Sequence, residues 1–312
     1  MYNGYGHAHN LHVYGHILSK LPPERDHHND GILYNIFHLL QLFFPEPIPR
    51  KPVQLETENK VLSTKTEDDG FFNFEWSEDR EIAAGWHTVY ATAMESNCRT
   101  EGKVYIPHST QLAFISDIDD TILVSHSATT FKKLQQLFMK SPVKRMIFDD
   151  VVEHYQLLAK AHTTDEMPNP FFYVSSSEWN LYDYLTEIFS THHLPEGVFL
   201  LNEIKRWFEL LKTGKTKHEG KLMRIVRIFD AFPKQRFVLM GDNSQKDPFI
   251  YQKLAERYTQ KIHAVYIRRV VEKKAAPAEA ALSQIKSLGI DTCLFKTSRE
   301  AIEHSRKTGL IE

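Results

Sequence analysis

Four short apolar runs in the last two-thirds of the chain constrain the fold more than any other feature: LAFIS (112–116), FFYV (171–174), RFVLM (236–240) and IHAVYI (262–267). None alternates apolar with polar residues, so each reads as a strand covered on both faces rather than one wetted on one side. Helical patterns such as LYDYLTEIF and KLMRIVRIFDAF separate them. Strand–helix alternation of this kind predicts an α/β unit built on a doubly wound parallel sheet. Ligands of such sheets sit outside the carboxyl ends of the strands. The polar residues that follow each apolar run are therefore the ones to read for chemistry.

Upstream of Pro107 the texture differs. LHVYGHIL and WHTVYATAME are β-rich, and EDDGFFNFEW places a turn signal ahead of an aromatic strand. A β-sandwich-like domain over residues 1–108 fits this, followed by the α/β domain over 109–312; 312 residues suit two domains. The run from Ile32 to Phe44 reads as a short helix ended by PEPIPRKP, its stripe of Ile36, Leu40 and Phe43 facing a core. Near the end, EKKAAPAEAALSQIK reads as a connector and helix. A final helix begins near Thr297, where Thr297 and Glu300 have the spacing of a capping box.

Charge narrows the partners. The net charge of −2 argues against nucleic acid, whose binders carry a clear positive excess. Residues 1–110 hold 9 Lys and Arg against 15 Asp and Glu, and the remainder 29 against 25, which points an anionic substrate to the second domain. Cys98 and Cys293 stand far apart and read as reduced thiols of a cytoplasmic protein. No apolar stretch is long enough for a transmembrane segment, and the N-terminus has no signal-peptide pattern, so membrane contact is expected to be peripheral. His7, His9, His12 and His16 lack clustered Cys or acidic partners and read as strand-surface histidines.

The strand exits gather a consistent set of groups. The first run leads into Ser116-Asp117-Ile118-Asp119-Asp120-Thr121, the second into Ser175-Ser176-Ser177, and the third into Gly241-Asp242 with Asp247 beyond; a helix begins with Lys221. This set suits phosphoryl transfer. A carboxylate approaching a phosphate dianion meets repulsion, which a divalent cation and a fixed positive group offset. Asp117 and Asp242 can supply oxygens to Mg²⁺, a hard cation that takes a few carboxylates and keeps several waters. Lys221 can supply the fixed charge, and Ser175 can bond a phosphoryl oxygen. Asp119, two residues after the nucleophile, can act as acid for the leaving alcohol and base for water. Thr121, Ser176 and Ser177 are candidate substrate contacts, although Ser176 and Ser177 read equally as turn residues with satisfied hydroxyls.

LAFISDIDDTI resembles the Asp-x-Asp-x-Thr signature of haloacid dehalogenase-type phosphatases. Ser175, Lys221 and the Gly241-Asp242…Asp247 pattern follow in that superfamily's order. YVSSSEWNLYDYL, IFDAFPKQRFVLMGDNSQKDPFIY and VYIRRV narrow the resemblance to the actin-patch type of phosphatidate phosphatase, a lipin-like branch. GYG, DGFF and GWHTVY are similar more weakly, so the resemblance covers most of residues 1–270. It implies Asp117 as nucleophile and Asp119 as general acid and base. It also implies Mg²⁺ on Asp117, the Asp119 backbone carbonyl and Asp242, with Ser175 and Lys221 on the phosphoryl group. Asp247 would orient Lys221 or a metal-bound water. Lys215 and Lys217 lie close to Lys221; counting back from Phe232-Pro233 selects Lys221. Glu178 stands where the pattern has proline.

The implied substrate is phosphatidate, an anionic lipid at a membrane surface. A soluble phosphorylated metabolite or a phosphoprotein suits the same chemistry, and a scaffold with an idle phosphatase domain is the alternative from another class. The segment 126–147 carries five Lys and Arg and no Asp or Glu. It reads as a helix packed on the sheet with its lysines in water, and a contact with anionic lipid is the alternative. The intervals between motifs leave little room for a large cap over the site.

Overall fold

A computed structural model describes residues 1–20, 46–94, 96, 98–124, 147–202 and 217–312, with side chains from residue 220 onward in the last span. The stripe of Ile36, Leu40 and Phe43, nearly all of the basic segment 126–147, and Lys215 lie outside the described residues. The chain divides into two compact units, Met1–His108 and Ser109–Glu312.

Among the described residues the first unit holds seven strands: β1 (Gly4–His7), β2 (Asn10–His16), β3 (Pro52–Glu56), β4 (Val61–Lys65), β5 (Phe71–Trp76), β6 (Gly85–Ala93) and β7 (Cys98–Ile106). They form one mixed sheet in the order β4-β3-β6-β7-β1-β2-β5, in which only the β1–β7 pair is parallel. The expected sandwich of two stacked sheets is thus replaced by a single sheet curled until its edge strands β4 and β5 approach each other. Period-two alternation makes this possible. Leu11 and Val13, Val53 and Leu55, Phe72 and Phe74, Val89 and Ala91, and Val104 and Ile106 all turn inward to one shared core. The EDDG turn forms as read: Gly70 adopts φ 79, a left-handed conformation open to glycine, and Asp69 Oδ1 accepts from Phe71 N at 3.0 Å. His16, read as a surface histidine, is instead packed, its Nδ1 2.8 Å from the Tyr2 hydroxyl.

Among the described residues the second unit has six strands where four were read: β8 (Leu112–Ser116), β9 (Phe171–Glu178), β10 (Gly197–Asn202), β11 (Arg236–Asp242), β12 (Ile262–Arg268) and β13 (Asp291–Phe295). Every neighbouring pair is parallel, in the order β10-β9-β8-β11-β12-β13. The sheet grows outward in both directions from β8, so its progress reverses beside the first strand, between β8 and β11. Among the described residues six α-helices accompany it: α1 (Val151–Ala159), α2 (Tyr182–Thr191), α3 (Lys217–Ala231), α4 (Asp247–Arg257), α5 (Ala275–Ser287) and α6 (Ser298–Lys307). Ala113, Phe114, Ile115, Phe172, Val174, Val238 and Leu239 are fully buried, as runs without alternation require. Thr297 caps α6 by accepting from Glu300 N, and Glu300 Oε2 accepts from Lys296 N at 2.8 Å. Among the described residues no helix is long and apolar enough to cross a membrane.

Candidate active site

β8 delivers Asp117 to its carboxyl end, next to β11, with Asp117 N donating to the Met240 carbonyl at 2.9 Å. The chain then folds back in a tight loop. Ile122 N and Leu123 N both donate to the Ile118 carbonyl, and Asp120 takes a left-handed φ of 60, one that aspartate tolerates better than most residues. Asp117, Asp119, Asp120 and Thr121 are all buried.

Lys221, in the first turns of α3, joins this loop across 104 residues: its Nζ donates to Asp117 Oδ1 at 2.8 Å and to Asp247 Oδ1 at 2.5 Å. Asp247 opens α4, where a carboxylate meets the favourable end of the helix dipole. Its second oxygen accepts from Asp242 N at 3.3 Å. Both Asp247 oxygens are thus engaged, one by the lysine and one by the backbone.

The remaining oxygens behave differently. Asp117 Oδ2 and Asp242 Oδ2 are buried and have no hydrogen-bond partner among the described residues. Ligand atoms of Asp117, Asp242 and Asp247 lie within 4.8 Å of one another. Burial, with Asp247 and Asp119 adding to it and Lys221 opposing it, pushes the Asp117 carboxyl up to about 7. Burial followed by Asp247 and Asp117 raises Asp242 well above the usual carboxylate range. Lys221 goes the other way: burial alone would lower it, yet Asp117 and Asp247 together hold the ammonium above its ordinary value. Three buried carboxylates around one ammonium leave excess negative charge, and two of them present unpaired oxygens. A hard divalent cation is the group that such oxygen donors accept, so Mg²⁺ fits.

β9 brings the serines. Ser175 Oγ and Ser177 Oγ lie 3.4 and 3.3 Å from Asp119 Oδ2, and Ser177 N donates to Ser175 Oγ at 2.9 Å. Ser176 points its carbonyl to Asn202 Nδ2 at 3.0 Å. Thr121 Oγ1 is buried without a partner among the described residues. Glu178 ends β9 in extended backbone, and a 3-10 turn over Trp179–Leu181 makes the passage to α2. Asp117, Lys221, Asp242 and Asp247 thus form one contact set, and Asp119, Ser175 and Ser177 another, with Asp119 close enough to act on the charge of Asp117.

Several supporting residues escaped the sequence reading. Ser116 Oγ donates to the Asp117 carbonyl at 2.6 Å and meets the Tyr155 hydroxyl at 2.6 Å, bracing the loop from α1. Arg224, one turn beyond Lys221, reaches Asn202 Oδ1 at 2.5 Å and the Ser175 carbonyl at 3.3 Å. Asn202 is a polar residue at a strand exit, and the rule that found Asp117 would have found it once GVFLLN had been read as a strand. Tyr155 gives no local signal.

Gly241 has a steric reason to be glycine. A Cβ there would overlap Asp247 Oδ2 and stand 2.8 Å from the Asp247 Cβ. Gly241→Ala is expected to push Asp247 off Lys221, costing about 1–3 kcal/mol in thermal unfolding, the scale of an overpacked core, and lowering turnover with it. An unchanged melting temperature would show that Asp247 has room to move.

A sequence profile described as the catalytic domain of phosphatidate phosphatase APP1 matches residues 112–269. The chain belongs to that family. It is 29% identical over 160 residues to phosphatidate phosphatase APP1 of Saccharomyces cerevisiae, a match covering 50% of this chain and 26% of that protein. An uncharacterized protein of Schizosaccharomyces pombe is 22% identical over 191 residues, 60% of this chain and 30% of the relative. The chain therefore spans under a third of the curated relatives it matches. Among solved structures, a carbohydrate acetylesterase from Xanthomonas citri matches 95% of this chain and 66% of its own at 8% identity, with a TM-score of 0.34.

Proposed function

We propose that this chain hydrolyses phosphatidate to diacylglycerol and phosphate through an aspartyl-phosphate on Asp117, in a catalytic unit of the doubly wound, haloacid dehalogenase-like type. The observation that carries the reading is the Asp117–Lys221 pair, 2.8 Å apart and buried, at the carboxyl end of the strand from which the sheet grows both ways. Membership of the phosphatidate phosphatase APP1 catalytic-domain family supports the substrate.

In this mechanism an Asp117 oxygen attacks phosphorus in line with the ester oxygen of the diacylglycerol. Lys221 and Ser175 hold phosphoryl oxygens, with Thr121, Ser176 and Ser177 lining the approach. As the P–O ester bond breaks, Asp119 gives its proton to the departing alkoxide. In the second half Asp119 takes a proton from water, which attacks the aspartyl-phosphate, freeing inorganic phosphate and restoring Asp117. Asp117 and Asp242, with the Asp119 carbonyl, would hold Mg²⁺. When bound, the cation offsets the repulsion between the carboxylate and the phosphate dianion.

A buried, pre-aligned donor set of this kind acts on a phosphomonoester whatever its carrier. The test is therefore phosphate release from phosphatidate in mixed micelles beside a soluble phosphomonoester, each with Mg²⁺ and with chelator. Cation-dependent release with a strong lipid preference is expected. Release only from the soluble ester would keep the chemistry and overturn the lipid assignment, and release from neither across a wider panel would leave an idle domain. A cytoplasmic location, peripheral at the membrane, accompanies the reading; the free Cys98 and Cys293 agree with it.

A further inference from the structure

Arg268 is one of the few buried charged groups that the proposed reaction does not use. It closes β12 and is only 2% exposed. Among the described residues no carboxylate lies within ion-pair reach of it. Its guanidinium is instead clamped between two rings, 4.2 Å from the Phe148 centroid and 4.8 Å from that of Phe295. Taking an unpaired guanidinium out of water is costly, and methionine or leucine would fill the same space without that cost. The charge and the donors are kept for what they touch.

They touch the site from behind. Nε donates to the Thr121 carbonyl at 3.0 Å, and an Nη donates to Ser298 Oγ at 2.8 Å. Thr121 lies in the loop that turns back through the left-handed Asp120, so its carbonyl fixes the return path of the segment carrying Asp117 and Asp119. The Arg268 carbonyl accepts from Asn243 N at 3.0 Å, next to Asp242. Arg268 is also the register partner of Asp242 in the β11–β12 pair. One residue thus spans both acidic loops, side chain on one and backbone on the other. Phe148 adds a further tie, its N donating to the Ile122 carbonyl at 3.1 Å.

We infer that Arg268 is a positioning residue for phosphoryl transfer: it sets the distance between the Asp117–Thr121 loop and the Asp242 loop, and lends the acidic cluster a second fixed positive charge. The inference rests on the phosphatase reading. Lysine cannot replace it, because one ammonium on a flexible stem does not present two donors in a fixed plane between two rings.

The experiment compares wild type, Arg268→Met, Arg268→Lys and Ser298→Ala on a soluble phosphomonoester and on phosphatidate micelles, with circular dichroism and thermal unfolding of each. Displaced loops lower the rate of chemistry rather than substrate capture. Arg268→Met is therefore expected to lose kcat by roughly tenfold to a hundredfold, with KM within about twofold of wild type. Arg268→Lys recovers only part of that loss. Ser298→Ala, which spares the Thr121 contact, keeps kcat near wild type. A purely structural role would lower the melting temperature and the active fraction while leaving kcat per folded enzyme unchanged, and that result overturns the inference. If Arg268→Met does not fold, Arg268→Lys decides: a lowered kcat in a folded protein supports the inference, and an unchanged one overturns it. A wild type silent on every phosphomonoester would refute the phosphatase reading itself, and the positioning role with it.

Discussion

Asp117→Asn is expected to lower turnover by about four orders of magnitude or more, the scale seen when an enzyme loses its nucleophile, while the protein stays folded. Asparagine keeps the size of the side chain and an oxygen that can accept from Lys221, so the packing of the loop survives. What disappears is the anionic oxygen able to form the acyl-phosphate bond. The local charge also changes in a stabilising direction. Three buried carboxylates around Lys221 become two, and Lys221 keeps its 2.5 Å bond to Asp247. In the cation-free protein the variant should therefore melt no lower than wild type at pH 8. Phosphate-release assays with a thermal melt in chelator check both parts. Residual activity within tenfold of wild type would place the nucleophile elsewhere, and a large drop in melting temperature would mean that the Asp117–Lys221 pair holds the fold.

The second large effect concerns pH and the cation together. Burial raises Asp117 to about 7 from 3.8, and Asp242 moves in the same direction. A carboxyl whose folded value exceeds its unfolded one binds its proton more tightly in the folded state. Its contribution to stability is therefore full below the unfolded value, fades as pH climbs from about 4 to about 7, and stays lost above that. For Asp117 alone the change is of the order of a few kcal/mol. Mg²⁺ held by these carboxylates, as proposed, would reverse the balance, because it would bind the ionised form and compete with the proton. The gain in melting temperature on adding Mg²⁺ should accordingly be larger at pH 8 than at pH 5, and smaller in Asp117→Asn and Asp242→Asn at both. Melts of the three proteins at pH 5, 6, 7 and 8, with chelator or with Mg²⁺, provide the test. A gain independent of pH, or equal in all three, would remove the cation from this cluster.

Much of the second unit was legible because its signals are local. An apolar run followed at once by polar residues (Ser-Asp, Ser-Ser or Gly-Asp) is a strand exit in sequence as in space, and it led to Asp117, Ser175 and Asp242 without knowledge of the neighbours. Two strands escaped for physical reasons. β13 lies at the sheet edge and alternates burial, so DTCLF shows no continuous run. β10 ends in half-buried Leu201 and Asn202, which blurs its boundary. The contacts that hold the site rigid were the least legible. Tyr155 on Ser116, Arg224 on Asn202 and Arg268 on Thr121 each join residues far apart in sequence, and no periodicity records such a pairing. In the first unit, β-rich runs and a turn signal marked strands, but nothing in them distinguishes two stacked sheets from one that curls.

The placement of β8 bears on how the protein is made. It is the first strand of its unit to leave the ribosome, yet both of its neighbours, β9 and β11, come later, and the ammonium that pairs with Asp117 follows 104 residues behind. Until that lysine emerges, burying the aspartate means leaving its charge unmatched, so water competes with the sheet for the loop. Long-range parallel pairings of this sort carry a high loop-closure cost and fold slowly. Desolvating the Asp117 carboxylate before its partner is made is therefore expected to disfavour a premature core in the nascent chain. A fragment ending before α3 should be a poor folder however apolar its strands, because it lacks Lys221, the counter-charge that Asp117 at the end of β8 pairs with.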